Sequence, residues 1–331
     1  MSRNYDNWER LVDATLLREK LRQIGRENSL SSISSSDYFT WSFREIDSPL
    51  ANLSSLGISF SYQQIALASD LFSDDNLIKR GHSGDLYTGQ LSGPVVVKRF
   101  YFHNREAFTL ELGFFSRIKS HPRFVPLLGH CFEMETEKFL VYIYSPERDL
   151  SNSLFINNPD RPVYSLPSLD WITRWKIARG VAEGLAYLHH ECNPPLVHGK
   201  SKTDTSGNPK TTCDYDIYCF GKVLLELVTG KLGISSSLDA TKIEFLFQAT
   251  LRYINVYDKD LITNIVDPSL NIHEDHLEEV WAMGIVARAC LNPSPTRRPQ
   301  MKHILKALED PLTLLREKMS WMPVIHNVET E

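Results

Sequence analysis

Two glycines, a lysine and a glutamate are the residues of this chain best placed to do chemistry. Gly81 and Gly84 stand in a G-x-x-G spacing, Lys98 closes the apolar run Pro94-Val95-Val96-Val97, and Glu111 follows thirteen residues later in AFTLELGFFSRI. Glycines at a hairpin tip supply positive φ and let the backbone come close to phosphate oxygens, where a Cβ has no room. A lysine at a strand end facing a helical glutamate is an ammonium held ready for an anion. Taken singly, each signal is weak: a bare G-x-x-G marks a turn, and a lysine after an apolar strand marks the strand's end. Their order along the chain makes phosphate binding the reading to test.

A second group lies further on. Only seventeen residues, GKSKTDTSGNPKTTCDY, separate His198 from Asp216. Lys200 stands near the start of this bridge, and a lysine cation cannot accept a proton; it repels magnesium and attracts phosphate. The carboxylates of the bridge are Asp204 and Asp214, set among Ser, Gly, Pro and Thr as in a loop. Seventeen extended residues reach on the order of 55 Å, so the bridge can join the helical runs on either side of it.

The elements that must position these residues follow from patterning. From Phe60 to Tyr144 short β-branched and aromatic runs alternate with turn signals, with one helix-like segment at 105–118, the pattern of a small sheet with a helix against it. From Asp149 onward helices dominate: Leu169, Ile172, Ile177, Val181, Leu185 and Leu188 keep a helical period over 169–190, and 277–290 and 298–308 do the same. Before the sheet, Trp8, Leu11, Val12, Leu16, Leu17, Leu21 and Ile24 predict an amphipathic helix over 6–27. Its basic half, LLREKLRQIGR, is of the kind that lies on a membrane surface or binds a calmodulin-like partner; Asp6, Glu9, Asp13, Glu19 and Glu27 dilute that signal and favour a helix docked on the domain or solvated. A serine-rich linker at 28–36 and the aromatic group Tyr38, Phe39, Trp41 and Phe43 follow, and a short helix through Leu315 is expected in the tail. The expected domains are 1–58, 59–145, 146–312 and 313–331.

At 331 residues, 42% hydrophobic and 23% charged, the composition is that of a folded globular protein. The net charge of −5 is spread over both halves and argues against nucleic acid as a partner. The five cysteines are odd in number, far apart and without metal spacing, as expected of reduced, mostly buried thiols. No run approaches the ~18 apolar residues of a membrane span, and the N-terminus shows neither a signal-peptide pattern nor a myristoylation glycine, so a cytoplasmic location is expected, with a peripheral place at the plasma membrane.

Several longer runs resemble the plant receptor-like protein kinase family. FSYQQIALASDLFSDDNLIKRGHSGDLYTGQL is similar to its segment F-S-Y-x-x-L-x-x-A-T-x-x-F-S-x-x-N-L-I-G-x-G-x-x-G-x-V-Y-x-G, PVVVK to V-A-I-K, and LVYIYS to the hinge L-V-Y-E-Y-M. SLDWITRWKIARGVAEGLAYLHHECNPPLVHGK resembles the long helix leading to the catalytic loop H-R-D-x-x-x-x-N, and DYDIYCFGKVLLELVTGK the central buried helix. The resemblance implies an α+β, two-lobed kinase-like fold. It also implies a nucleotide site made by Ile78, Gly81, Gly84, Leu86, Lys98, Glu111 and Tyr144, with Lys98 paired to Glu111. Asp216 is implied to hold the catalytic-loop backbone.

The departures concern catalysis. Lys200 takes the place of the catalytic aspartate, Thr205 that of the loop asparagine, and His198 reads as a core-packing remnant. No D-F-G triplet, activation loop or A-P-E anchor follows, so Arg298, which in the family pairs with that anchor's glutamate, must be unpaired or rebound. Lys79 replaces the first glycine, Ser83 the aromatic tip residue, and Val96 the alanine that floors the adenine pocket. The resemblance therefore implies a pseudokinase with ATP as its ligand and magnesium not expected, working through protein partners such as receptor or cytoplasmic kinases. Two other readings stay open, an active Ser/Thr kinase with degenerate motifs and a non-functional product of a truncated transcript or gene model.

Overall fold

The computed structural model describes residues 56–81, 83–101, 103, 105–118, 121–144, 150–154, 168–198, 212–230, 249–270, 272 and 274–310. The expected helix at 6–27, the serine-rich linker, the aromatic group at 38–43 and the tail helix lie outside them, as do Lys200, Asp204 and Thr205. The described residues fall into two compact units, those before Glu147 and those after Arg148.

The first unit is built on six strands, β1 (Ile58–Ser59), β2 (Leu77–Lys79), β3 (Asp85–Gln90), β4 (Pro94–Tyr101), β5 (Leu127–Cys131) and β6 (Glu137–Ile143), in the order β1-β5-β6-β4-β3-β2. All neighbours are antiparallel except β1 and β5. Period-two alternation in β4 sends Val95 and Val97 to one face and Val96, Lys98 and Phe100 to the other. On the first face Val95, Val97, Phe139, Val141 and Cys131 bury Ile65 of helix α1 (Tyr62–Ala68). On the second, Phe100, Leu140 and Tyr142 receive Phe108 and Leu112 of helix α2 (Arg105–Phe115). Each fully buried large apolar side chain contributes roughly 1.5–3 kcal/mol, so covering both faces is what makes a sheet this small stable.

The pattern reading found α2 but not α1, whose seven residues are too few for periodicity to show. The signal it does carry is a capping box, in which Ser61 accepts from the Gln64 N–H and the Gln64 side chain accepts from the Ser61 N–H. After α1, Asp70, Leu71 and Phe72 take left-handed φ values of 50°, 55° and 61°, each at a cost of about 1–2 kcal/mol. The turn drops the Phe72 ring onto Phe139, stacked at 5.4 Å, and edge-on to Tyr87 at 5.4 Å, and this aromatic burial offsets the strain.

The second unit is helical among its described residues: α3 (Leu150–Leu154), α4 (Trp171–Ala186), continued by a π turn at Tyr187–Glu191, α5 (Cys213–Thr229), α6 (Glu274–Cys290) and α7 (Met301–Glu309). Asp170 caps α4 by accepting from the Thr173 N–H. The helix expected from 298 starts at Met301 instead, because Pro299 and a single 3-10 turn at Pro295–Arg297 hold the chain out of the helix until then. α5 is buried almost all round, consistent with its apolar sequence.

All five cysteines are free; Cys131, Cys219 and Cys290 are buried and Cys192 and Cys213 half-buried. Burial pushes the Cys219 thiol up to about 12, so it stays protonated and unreactive at neutral pH. No helix among the described residues is long and apolar enough to cross a membrane.

Candidate functional site

The sheet's α2 face carries the charged centre of the first unit. The Lys98 ammonium lies 2.9 Å from Glu111 Oε2, and both side chains are buried, at 7% and 2% exposure. Tyr142, on β6, donates its hydroxyl to the other carboxylate oxygen at 2.6 Å, and the Lys98 Nζ is 5.0 Å from the centre of the Phe100 ring. A buried carboxylate with both oxygens engaged holds the ammonium at one place, and a fixed ammonium can bind an anion with little loss of side-chain freedom. Val96 shares this face, half-buried in the same apolar cluster and directly opposite Tyr142.

The glycine turn joins β2 to β3 beside this centre. Gly84 has φ of +130°, its N–H donates to the Gly81 carbonyl at 3.1 Å, and a Cβ built on it would stand 2.4 Å from the Arg99 carbonyl oxygen. A Cβ on Gly81 would stand 2.7 Å from the Gly84 oxygen. Backbone oxygens of the turn and of β4, rather than space for a phosphate, are thus what require glycine here. Gly84→Ala is expected to destabilise the protein by about 1–3 kcal/mol, read as a lower urea midpoint with the slope unchanged.

Ile78, at 49% exposure, and the half-buried Leu86 are apolar surface next to the turn. Tyr144 follows β6; its N–H donates to the Pro94 carbonyl at 3.2 Å, and it lines an open hollow of about 350 Å³ with Ala68, Asn76, Thr88 and Val95.

In the second unit Asp216 of α5 is wholly buried. Its Oδ2 accepts the backbone N–H of His198 at 2.7 Å and lies 2.9 Å from His189 Nε2, so one carboxylate oxygen ties the chain after α4 to the head of α5. Arg298 is rebound: its Nε donates to the Asn292 carbonyl at 2.9 Å, its Nη1 to the Asp214 carbonyl at 2.8 Å, and its guanidinium lies 4.8 Å from the Tyr218 ring centre. Sequence reasoning missed Tyr142 and His189 as partners of the two carboxylates. Both stand inside quoted runs, LVYIYS and YLHHE, but nothing local marks what they touch.

A six-stranded sheet with a lysine–glutamate pair under it, followed by a helical unit whose buried aspartate holds the loop at His198, is the architecture of a protein kinase domain. Residues 73–200 match the family model described as protein tyrosine and serine/threonine kinase. A probable LRR receptor-like serine/threonine-protein kinase of Arabidopsis thaliana is 47% identical over 312 aligned positions, which cover 80% of this chain and 34% of that protein. The proline-rich receptor-like protein kinase PERK10 of the same plant is 28% identical over 297 positions, covering 76% of this chain and 38% of its own. Another probable LRR receptor-like serine/threonine-protein kinase from Arabidopsis is 31% identical, covering 76% and 28%. The chain belongs to the plant receptor-like protein kinase family, and it spans about a third of the length of these relatives.

The alignments also differ in length from the chain they cover. Eighty per cent of 331 residues is about 265, against 312 aligned positions, so about 47 positions of the first relative have no residue here. For PERK10, 76% is about 252 against 297, leaving about 45.

Proposed function

We propose that this chain is a kinase-like regulatory module, a pseudokinase, that binds ATP and works through contact with receptor or cytoplasmic kinases at the cytoplasmic face of the plasma membrane. The observation that carries the reading is the seventeen-residue bridge between His198 and Asp216 with Lys200 in the place of the catalytic aspartate. Supporting it, the family match stops at Lys200, and two relatives each have about 45 more aligned positions than this chain supplies. That is the size of segment that would hold the metal ligands and the substrate platform.

Phosphoryl transfer needs a carboxylate to orient the attacking hydroxyl and metal ions to neutralise the phosphates. Loss of general-base help alone costs about 10²- to 10⁴-fold. Magnesium is not part of this reading: both oxygens of Glu111, the carboxylate at Lys98, are engaged, and Lys200 brings a positive charge to the catalytic-loop position. The Lys98–Glu111 pair supports nucleotide binding, and it is also the one observation that favours the second reading, an active Ser/Thr kinase, since transfer requires that pair.

The two readings separate in one experiment on the full chain. Labelled ATP is supplied with magnesium or manganese and a generic protein acceptor, and the thermal midpoint is followed with ATP in EDTA. The expected result is no transfer above that of Lys98→Met, together with a midpoint raised by ATP in EDTA and unmoved by it in Lys98→Met. Transfer that disappears in Lys98→Met would establish the active kinase instead.

A further inference from the structure

We infer that Leu56 is a positioning residue for the nucleotide site: residues 56–60 form a strap over the edge of the sheet, and Leu56 at its end holds α2 where Glu111 meets Lys98. The effect on nucleotide rests on the nucleotide-binding reading; the hold on α2 does not. The observation is that the strap reaches both cores of the first unit. Leu56, at 2% exposure, is buried in one cluster with Phe108 and Leu112 of α2 and with Tyr142. Phe60 packs instead against the cluster on the other face, with Ile65, Val97 and Phe139. Between the two ends Gly57, Ile58 and Ser59 are exposed.

A regular strand could not reach both faces this way, because residues two and four apart line the same face, and Leu56 would then follow Ile58 and Phe60. Gly57 breaks the alternation with a φ of +84°, a region that glycine enters without strain. A Cβ on Gly57 would collide with the Leu128 carbonyl, and one on Gly129 with the Ile58 carbonyl, so a glycine on each side lets the strap lie close on β5. Its backbone pairing is slight. Ile58 stands opposite Gly129 and Ser59 opposite His130, and the Phe60 N–H donates to the His130 carbonyl at 2.8 Å. So short and exposed a strand is held by the apolar side chain at each end, and a segment with few backbone bonds opens at low cost.

Leu56 is placed so that its release reaches the charged centre. Two members of its cluster bear on Glu111: Leu112 is the next residue of α2, and Tyr142 donates its hydroxyl to the Glu111 carboxylate. A void left by Leu56 would lie in the apolar layer under the helix, and neighbouring groups relax into such a void. The pair has little slack. Lys98 Nζ and Glu111 Oε2 are 2.9 Å apart, and a shift of α2 by about 1 Å takes them beyond hydrogen-bond range. A partner that draws the chain before Leu56 off the sheet edge thereby loosens the Lys98–Glu111 pair.

The test measures hydrogen exchange of the full chain without nucleotide, for the unmodified protein and for Leu56→Ala, Leu56→Met and Ile58→Ala, and then titrates each calorimetrically with ATP in EDTA. Leu56→Ala is expected to speed exchange of the α2 amides at least about tenfold and to leave those of α1, on the other face, within about twofold. The same variant should weaken ATP about five- to tenfold. Leu56→Met, which keeps the volume, should restore both, and Ile58→Ala should change neither. Exchange that rises equally in α1 and α2 would show that Leu56 serves only global stability, and faster exchange of α2 with ATP affinity unchanged would show that the helix does not carry the change to the site; either result overturns the inference. If Leu56→Ala does not fold, Leu56→Val makes the same comparison with a smaller void. If the unmodified protein binds no ATP, the nucleotide-binding reading falls, and exchange of α2 against α1 still decides whether the strap holds the helix.

Discussion

Alanine in place of Asp216 is expected to lower the unfolding free energy by about 3–5 kcal/mol, the loss that follows when a buried charged partner is removed from groups that depend on it. The carboxylate is wholly buried, and one of its oxygens serves both the His198 N–H and the His189 ring. Removing it strands an N–H and an imidazole away from water. Asp216→Asn keeps an acceptor in place and is expected to lose less. Urea denaturation checks both, and two variants within about 0.5 kcal/mol of the parent would show that the loop is not pinned.

The same bond explains how the second unit tolerates so short a bridge. His198 and Asp216 touch, so the residues between them form a closed loop whose ends are already joined. Closure entropy grows only as (3/2)RT ln n, so a loop of seventeen residues and one longer by about 45 differ by about 1 kcal/mol, in favour of the shorter. On this argument a short bridge leaves the anchoring of the helices nearly untouched. A single cooperative unfolding transition is therefore expected, and that result would count against a non-functional gene product.

What the sequence disclosed and what it hid divide along the range of the interactions. Lys98 and Glu111 were legible because a strand end and the following helix place them thirteen residues apart, and the fold was legible from quoted runs that extend through most of the described residues. Tyr142, which completes the pair, comes thirty-one residues after Glu111 and reaches it through sheet pairing that no local pattern reports. The new partners of Arg298 are backbone carbonyls, and a carbonyl has no sequence signature. The face served by Lys79 depends on a single bulge, and a one-residue slip reverses the face of everything after it, so sequence alone did not disclose it.

Arg174→Met is expected to cost a further about 3–5 kcal/mol at neutral pH, and this loss should shrink in acid. The guanidinium is wholly buried; it donates to the carbonyls of Leu169 at 2.9 Å and Leu227 at 3.0 Å, to the Ser168 hydroxyl at 2.8 Å, and to the Asp267 carboxylate. Burial alone would raise the Asp267 pKa, but the Ser269 N–H and Arg174 outweigh it and hold the carboxyl below its ordinary value. A carboxyl depressed in the folded state contributes stability above its unfolded pKa of about 3.9 and loses it as pH falls through the lower folded value. Without Arg174 the buried carboxylate lacks its cation, its pKa rises, and protonation at moderately acid pH removes the unpaired charge. The gap between parent and variant should therefore be largest near pH 7 and narrow toward pH 4, and Asp267→Asn in the variant should recover part of the loss at pH 7. A gap that does not change with pH would mean that the damage comes from the stranded carbonyls and not from the ion pair. The pair also bears on the site, because it fixes the last turn of α5 through Leu227 while Asp216 occupies the first, and a helix of seventeen residues is a rod of about 25 Å that carries a displacement at one end to the loop held at the other.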